Sequence, residues 1–346
     1  MSVQTITDPG TLRPPHSWRD PAGHYLSVLT EPWYRHVFEL TDLFHVATVD
    51  FWRSRGGRVA YLPMTTGSIS SPMGRGSDSS PVRIRLEGVD TYLADSMQFL
   101  LEFSCRLSDG PVYYVMPSFR GEAADDTHLC QFFHSEAELV GGLDEVTATV
   151  DDYVRHLATA FLEQAPDLVA HLAGTAEHLR EPFAAKAFNR IPFDEAVSLL
   201  GADPAFVKTD VPGARSLTRA GERRLMDLRG PFTWVTHMDH LSTPFYQAFA
   251  GPDKDKAQNG DLLFGIGETV GCGERHATVD EVTEALALHE VDRSDYEWYV
   301  KMREISPLRT AGFGMGVERF MLWLLAHDDI RDLPLLLRFN GQQIDP

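Results

Sequence analysis

A chain of 346 residues, 43% apolar and 23% charged, has enough core for one large domain or two ordinary ones. Its 31 basic against 50 acidic residues leave a net charge of −19, and no Lys/Arg run relieves it, so nucleic acid is an unlikely partner and a membrane surface is not expected. Cys105, Cys130 and Cys272 are odd in number with no CxxC, which excludes a zinc site, and the polar stretch 1–15 lacks a signal peptide's core; a cytoplasmic location is expected.

Residues 1–30 show little periodicity and read as an irregular arm. Over 33–55 apolar residues recur at helical spacing, and Gly56-Gly57 stops the helix. A short strand follows at 59–63, then a Gly/Ser/Pro loop at 65–81 long enough for a functional flap. Residues 82–86 and 91–93 pair as strands ahead of a helix at 96–106. The runs 112–116 and 128–139 predict a long antiparallel hairpin around the polar loop 121–127, and 143–163 an amphipathic helix. Residues 165–230 read as charged and mostly helical, with a strand at 188–192 opening a helix at 193–200. Strands are expected at 232–236, 261–264 and 266–270, and helices at 279–289 and 294–304. The chain closes on glycines at alternate positions, Gly312, Gly314 and Gly316, running into a buried apolar helix. Antiparallel strands interleaved with helices predict an α+β fold.

Four stretches carry chemistry. In Phe119-Arg120-Gly121-Glu122, at a strand end, the arginine offers a planar fork for phosphate with a carboxylate beside it; a surface ion pair fits the same residues. Asp261 and Glu268, seven apart across a glycine bend, can share Mg²⁺ with substrate phosphates or be ordinary exposed acids. Residues 271–276 read as a tight glycine turn presenting Arg275 to a carboxylate or amide oxygen, or to solvent. The alternating glycines let a planar ligand lie against the backbone, and Arg319, one turn into the next helix, can meet an anion; a glycine turn capping a core helix is the plainer alternative. His237 with His240, and His128 with His134, find no third ligand at a metal spacing. No G-x-S-x-G and no Rossmann fingerprint occur.

In this order the motifs resemble the catalytic core of class II aminoacyl-tRNA synthetases, in the asparaginyl/aspartyl branch. Residues 119–122 with HLCQF at 128–132 and EAE at 136–138 resemble that class's second motif, and GFGMGVER at 312–319 its third. DLL at 261–263 with GETVG at 267–271 and Arg275, SMQ at 96–98 and IRD at 330–332 match further family segments. The resemblance implies an antiparallel sheet flanked by helices in a single catalytic domain over 33–346, after an arm at 1–32 and with 165–230 as a mostly helical insertion. It also implies a homodimer formed near Pro63. Arg120 and Arg319 would be the catalytic clamps on ATP, with Glu122, His128, Phe132, Glu268 and Gly316 completing the nucleotide site. Asp261 and Glu268 would hold Mg²⁺. Ser96, Gln98, Glu136, Gly314 and Arg275 would face the amino acid, Gln98 its ammonium and Arg275 its side-chain carbonyl.

The chain departs from the family at Thr127, where an arginine is usual, at Gln131 and Thr243, and at Cys272-Gly273-Glu274, which replaces GSQ. Roughly 35 residues ahead of the core cannot form the family's anticodon-binding barrel. With the net charge of −19, these departures lead to the expectation of a tRNA-independent ligase. It would adenylate an aspartate-like amino acid and pass the acyl group to ammonia or a small amine. Two rivals stand beside it: the same chemistry loading tRNA or a carrier protein, and a non-catalytic regulatory paralogue.

Overall fold

Eight strands build the central sheet: β1 (Arg58–Val59), β2 (Val112–Phe119), β3 (Gln131–Val140), β4 (Asn189–Pro192), β5 (Thr233–Thr236), β6 (Asn259–Phe264), β7 (Gly267–Glu274) and β8 (Thr310–Gly316). They come from a computed structural model that describes residues 10–70, 80–201, 203–211 and 214–345. The spatial order is β1-β2-β3-β8-β7-β6-β5-β4. The run from β2 to β5 is antiparallel throughout, and β1 and β4 add parallel edges. The α+β fold with an antiparallel sheet between helices is therefore the one the motifs implied.

Alternation along the strands gives the sheet two unlike faces. Ala311, Phe313 and Met315 of β8, Cys272 of β7 and Ala137 of β3 point into one core with helices α2 (Pro32–Ser54) and α4 (Leu143–Gln164), which stand either side of α3 (Gln98–Cys105) in the chain. Trp52 of α2 lies between Tyr113 and Phe313, stacked on them at centroid distances of 5.6 and 6.0 Å. The Tyr153 hydroxyl is satisfied in this apolar layer by Thr48 Oγ1 at 2.6 Å and Ser135 Oγ at 2.9 Å. The intervening residues of β3, β7 and β8 face the other way and make the site.

Three expectations are corrected. The lead-in is not irregular: Ser17–Arg19 is a 3₁₀ turn and α1 (His24–Thr30) a helix. What orders it is polar and distant in sequence: His24 Nε2 donates to the Pro334 carbonyl at 3.0 Å, His16 Nδ1 meets Asp332 at 2.8 Å, and Arg331 lies 3.6 Å from the Trp18 ring centroid. Such pins leave no local periodicity. Residues 165–230 hold, besides helices, a β-hairpin of Val207–Val211 with Ala214–Leu217, which leads into α5 (Arg219–Arg229). Gly221 allows the two to close up, since a Cβ there would stand 2.2 Å from the Phe206 carbonyl oxygen. Third, 271–274 is not a turn but the second half of β7.

The expected hairpin at 82–93 forms, in a small separate sheet with Thr65–Thr66. The central part of the expected flap, 71–79, lies outside the described residues. Among the described residues no helix is long and apolar enough to cross a membrane.

Because Trp52 fills the layer between sheet and helices, Trp52→Ala should cost about 3–5 kcal/mol of stability. Urea unfolding measures this; a loss below about 1 kcal/mol would show that the layer does not depend on it.

Candidate active site

The polar face of the sheet carries a cavity of about 410 Å³. Its floor is made of missing side chains. Gly312 pairs with Gly273, Gly314 with Gly271, and all four share the face opposite the core. On β3, the residues opposite Gly312, Gly314 and Gly316 are Glu138, Glu136 and His134. The two glutamates lean over the bare backbone: a Cβ on Gly312 would lie 1.8 Å from Glu138 Oε2 and 2.6 Å from the Ala137 carbonyl oxygen, and one on Gly314 3.0 Å from Glu136 Oε1.

At one end, Arg120 follows β2 directly and its guanidinium carbon lies 5.4 Å from the Phe132 ring centroid. Its Nε is buried without a partner among the described residues. Arg319 enters from α6 (Val317–Leu324) and donates to the Glu268 carbonyl at 2.5 Å. Two guanidinium groups on a wall with an unused buried donor suit an anion that brings its own acceptors.

His128 joins this end, held at 2.5 Å by Arg219 of α5 and at 3.2 Å by Asp125. Glu122 is elsewhere: it turns away from the cavity, where its Oε1 accepts from the Ser80 N–H at 2.5 Å. Asn340 clamps that turn from the chain's last segment, donating to the carbonyls of Arg120 (2.9 Å) and Glu122 (2.8 Å).

Asp261 and Glu268 are brought together by a bulge. Asp261 pairs with Gly271, and a register shift at Leu262/Leu263 then sets Glu268 opposite Leu263. Without the extra residue Glu268 would follow Val270 into the core; with it, Glu268 turns to the cavity face. The pair converges above Gly271, where a Cβ would be 3.2 Å from Glu268 Oε1 and 3.6 Å from Asp261 Oδ1. Two carboxylates facing an open, arginine-lined cavity fit Mg²⁺, which completes its shell with waters and substrate phosphates. Among the described residues no cluster of three or more His, Cys, Asp or Glu forms a dedicated metal cage.

At the other end, Glu136 accepts from Ser96 Oγ at 2.7 Å and from the Tyr114 hydroxyl, and burial pushes its carboxyl up to about 7. Gln98 lines the same end and hydrogen-bonds Tyr246. Arg275 is no solvated loop charge. It is 2% exposed, held by Glu138 through Nε (3.1 Å) and Nη2 (3.0 Å), and its Nη1 donates to Gln247 Oε1 at 3.3 Å.

Of the residues singled out from sequence, the cavity gathers Arg120, His128, Phe132, Glu268, Gly316 and Arg319 at one end. It gathers Ser96, Gln98, Glu136, Gly314 and Arg275 at the other, with Asp261 on the same wall as Glu268. Glu122 is not among the cavity's walls. Sequence reasoning missed Lys208, Ser216 and Glu222, which the hairpin and α5 bring to the rim, and Gln247 beside Arg275. Glu222 Oε2 accepts from the Glu268 N–H at 3.0 Å. Sequence signals for these were Gly221, Gly267 and Gly273, each a glycine where a neighbour needs the room, Glu222 at Gly267 and Gln247 at Gly273.

Comparison with known proteins gives the family and the fold. The family model "tRNA synthetases class II (D, K and N)" matches residues 24–338, and the chain belongs to that family. It is similar to a probable cytoplasmic asparagine–tRNA ligase of Encephalitozoon cuniculi, 29% identical over 72% of this chain and 56% of the relative. To the cytoplasmic asparagine–tRNA ligase of Saccharomyces cerevisiae it is 28% identical over 76% of this chain and 48% of the relative. The chain thus spans about half the length of the curated relatives it matches. In fold it is similar to asparaginyl-tRNA synthetase from Pyrococcus horikoshii complexed with asparaginyl-adenylate, with a TM-score of 0.83 at 23% identity over 94% of this chain and 73% of that one.

These relatives overturn the expectation of a tRNA-independent, amide-forming ligase, since the enzymes it resembles join asparagine to tRNA. The exclusion of nucleic acid falls with it. Net charge is an average over the whole surface and says little about any one part of it.

Glu318, in the first turn of α6, accepts the Phe133 N–H with both oxygens (3.1 and 3.0 Å), and burial pushes its carboxyl up to about 7. An unfolded glutamate titrates near about 4.3, so between that pH and about 7 the folded state binds the extra proton and stability falls as pH rises. Glu318→Gln removes the charge that appears, and should flatten the decline between pH 5 and pH 8 by about 1–3 kcal/mol. Urea midpoints at the two pH values check this; an unchanged decline would contradict it.

Proposed function

We propose that this cavity activates an amino acid of the asparagine/aspartate type with ATP and delivers the acyl group to tRNA. The observation that carries it is the pair Arg120 and Arg319 set against Asp261 and Glu268 over a glycine floor. Membership of a family whose curated relatives are asparagine–tRNA ligases supports it. So does the fold shared with an enzyme complexed with asparaginyl-adenylate.

In the first step the amino-acid carboxylate attacks the α-phosphorus of ATP in line. The bond to the bridging oxygen breaks, and pyrophosphate leaves with the electron pair. Arg120 and Arg319 neutralise charge on the phosphate oxygens, and Phe132 offers a face for the adenine. Asp261 and Glu268 would hold Mg²⁺, which would supply further charge neutralisation at the phosphates. Gln98 and the acidic Glu136 hold the ammonium, while Arg275 meets the side chain. In the second step a ribose hydroxyl at the tRNA end attacks the acyl carbon and AMP departs. Little acid–base chemistry is asked of the protein; positioning and charge do the work.

A homodimer and a cytoplasmic location go with this proposal. The β1 edge exposes Val59, Met64 and Tyr61, the last 91% exposed, an apolar strip that a second copy of the chain would cover.

ATP–pyrophosphate exchange with single amino acids, followed by acylation of tRNA, tests the proposal. Exchange should be strongest with asparagine or aspartate, and tRNA should carry the label. Arg120→Ala and Arg319→Ala should each lower kcat/KM by about a hundredfold or more. Amino-acid and nucleotide binding without exchange would leave a regulatory paralogue instead. Exchange with no tRNA charging would refute the acceptor.

A further inference from the structure

Gln247 reaches the amino-acid end of the cavity by an unusual path. It forms an isolated antiparallel bridge with Arg275, so the two side chains rise next to each other. Between them lies Gly273, and the Gln247 carboxamide fills the volume a side chain there would take. A Cβ on residue 273 would stand 1.8 Å from Gln247 Oε1, 2.7 Å from its Cδ and 3.1 Å from its Nε2. In sequence Gly273 lies in the stretch that stands where the family has GSQ, and in space glycine at 273 makes room for glutamine at 247.

The carboxamide is oriented by chemistry. Arginine has donors only, so the oxygen must face Arg275 Nη1, at 3.3 Å. That turns the Nε2 hydrogens towards the cavity, and they meet no acceptor among the described residues. The residue's backbone is fixed as well: its N–H donates to the Pro244 carbonyl at 3.1 Å and its carbonyl accepts from His240 Nε2 at 2.8 Å. Because that nitrogen donates, His240 Nδ1 is bare and accepts from His289 Nε2 at 2.8 Å, which closes a relay behind Gln247. Meanwhile the Arg275 charge is matched by Glu138 through two hydrogen bonds. The end of the pocket therefore offers donors without surplus positive charge.

We propose that Gln247, seated over Gly273, is a specificity residue that forms with Arg275 a two-donor end wall. The wall selects an amino acid whose side chain ends in an uncharged carbonyl, a carboxamide rather than a carboxylate. This rests on the activation chemistry proposed above. A carboxylate would gain the same donors but lose its hydration without a free cation to replace it.

The test is pyrophosphate exchange with asparagine and aspartate on wild-type protein, Gln247→Met, Gln247→Ala, Gly273→Ala and the double variant Gln247→Ala/Gly273→Ala. Wild type should favour asparagine. Gln247→Met and Gln247→Ala should each shrink that preference by about tenfold or more, chiefly through KM. Gly273→Ala should do the same by displacing the carboxamide, and should add nothing in the Gln247→Ala background. Circular dichroism and melting temperature verify folding, and Gln247→Met stands as the deciding variant where Gly273→Ala does not fold. Unaltered selectivity in Gln247→Met, additive effects in the double variant, or a wild-type preference for aspartate would each overturn the inference. Wild-type protein inert towards every amino acid would instead overturn the activation chemistry and take this inference with it.

Discussion

The contact on which the site depends is the seating of Glu138 over Gly312. A carboxylate can lie flat on that strand only because residue 312 has no Cβ, and the position it takes is the one from which it grips Arg275 with two hydrogen bonds. Breaking such a buried pair by removing one partner costs several kcal/mol, about 3–5, because a charge is left without compensation. The glycines of β7 and β8 thus do two things at once. They open a floor for a ligand, and they let acids from β3 and β6 lean inward where side chains on the floor would have kept them apart.

From that floor the rest follows by strand geometry. Antiparallel register sets Glu136 and Glu138 on the cavity face and Ala137 in the core. A single bulge converts Glu268 from a core position to a cavity position beside Asp261. The apolar face, with Trp52 packed between Tyr113 and Phe313, holds the sheet rigid so that these placements persist. Arginines then arrive from three separate elements: Arg120 after β2, Arg319 on α6 and Arg219 on α5. Two are tied by hydrogen bonds, Arg319 to the Glu268 carbonyl and Arg219 to His128 and Asp125, while Arg120 lies over the Phe132 ring.

Much of this was legible in the sequence, for a physical reason. Period-two alternation, glycines spaced by two and the helix after them are local signals, and they located β2, β3, β8 and α6 with Phe132, Glu136, Gly314, Gly316 and Arg319 on them. What failed was long-range or negative. The hairpin at 207–217 is short and polar, and only the three-dimensional structure shows it walling the cavity with Lys208 and Ser216. The strand 271–274 read as a turn because glycine there signals room for Gln247, not a bend. Residues 17–30 are ordered by partners some 300 positions away, such as Pro334 and Asp332. Net charge misled most: a total of −19 argued against nucleic acid, although it is an average over the whole surface.

The central claim is that one cavity holds nucleotide and amino acid joined end to end. Its most direct measurement is calorimetric titration with a non-hydrolysable asparaginyl-adenylate analogue, beside ATP and asparagine alone. The joined ligand should bind at least about a hundredfold tighter than either part, because both ends of the cavity are engaged at a single entropic cost, and Arg319→Ala should abolish most of the gain. An analogue that binds no tighter than ATP or asparagine alone would contradict the account.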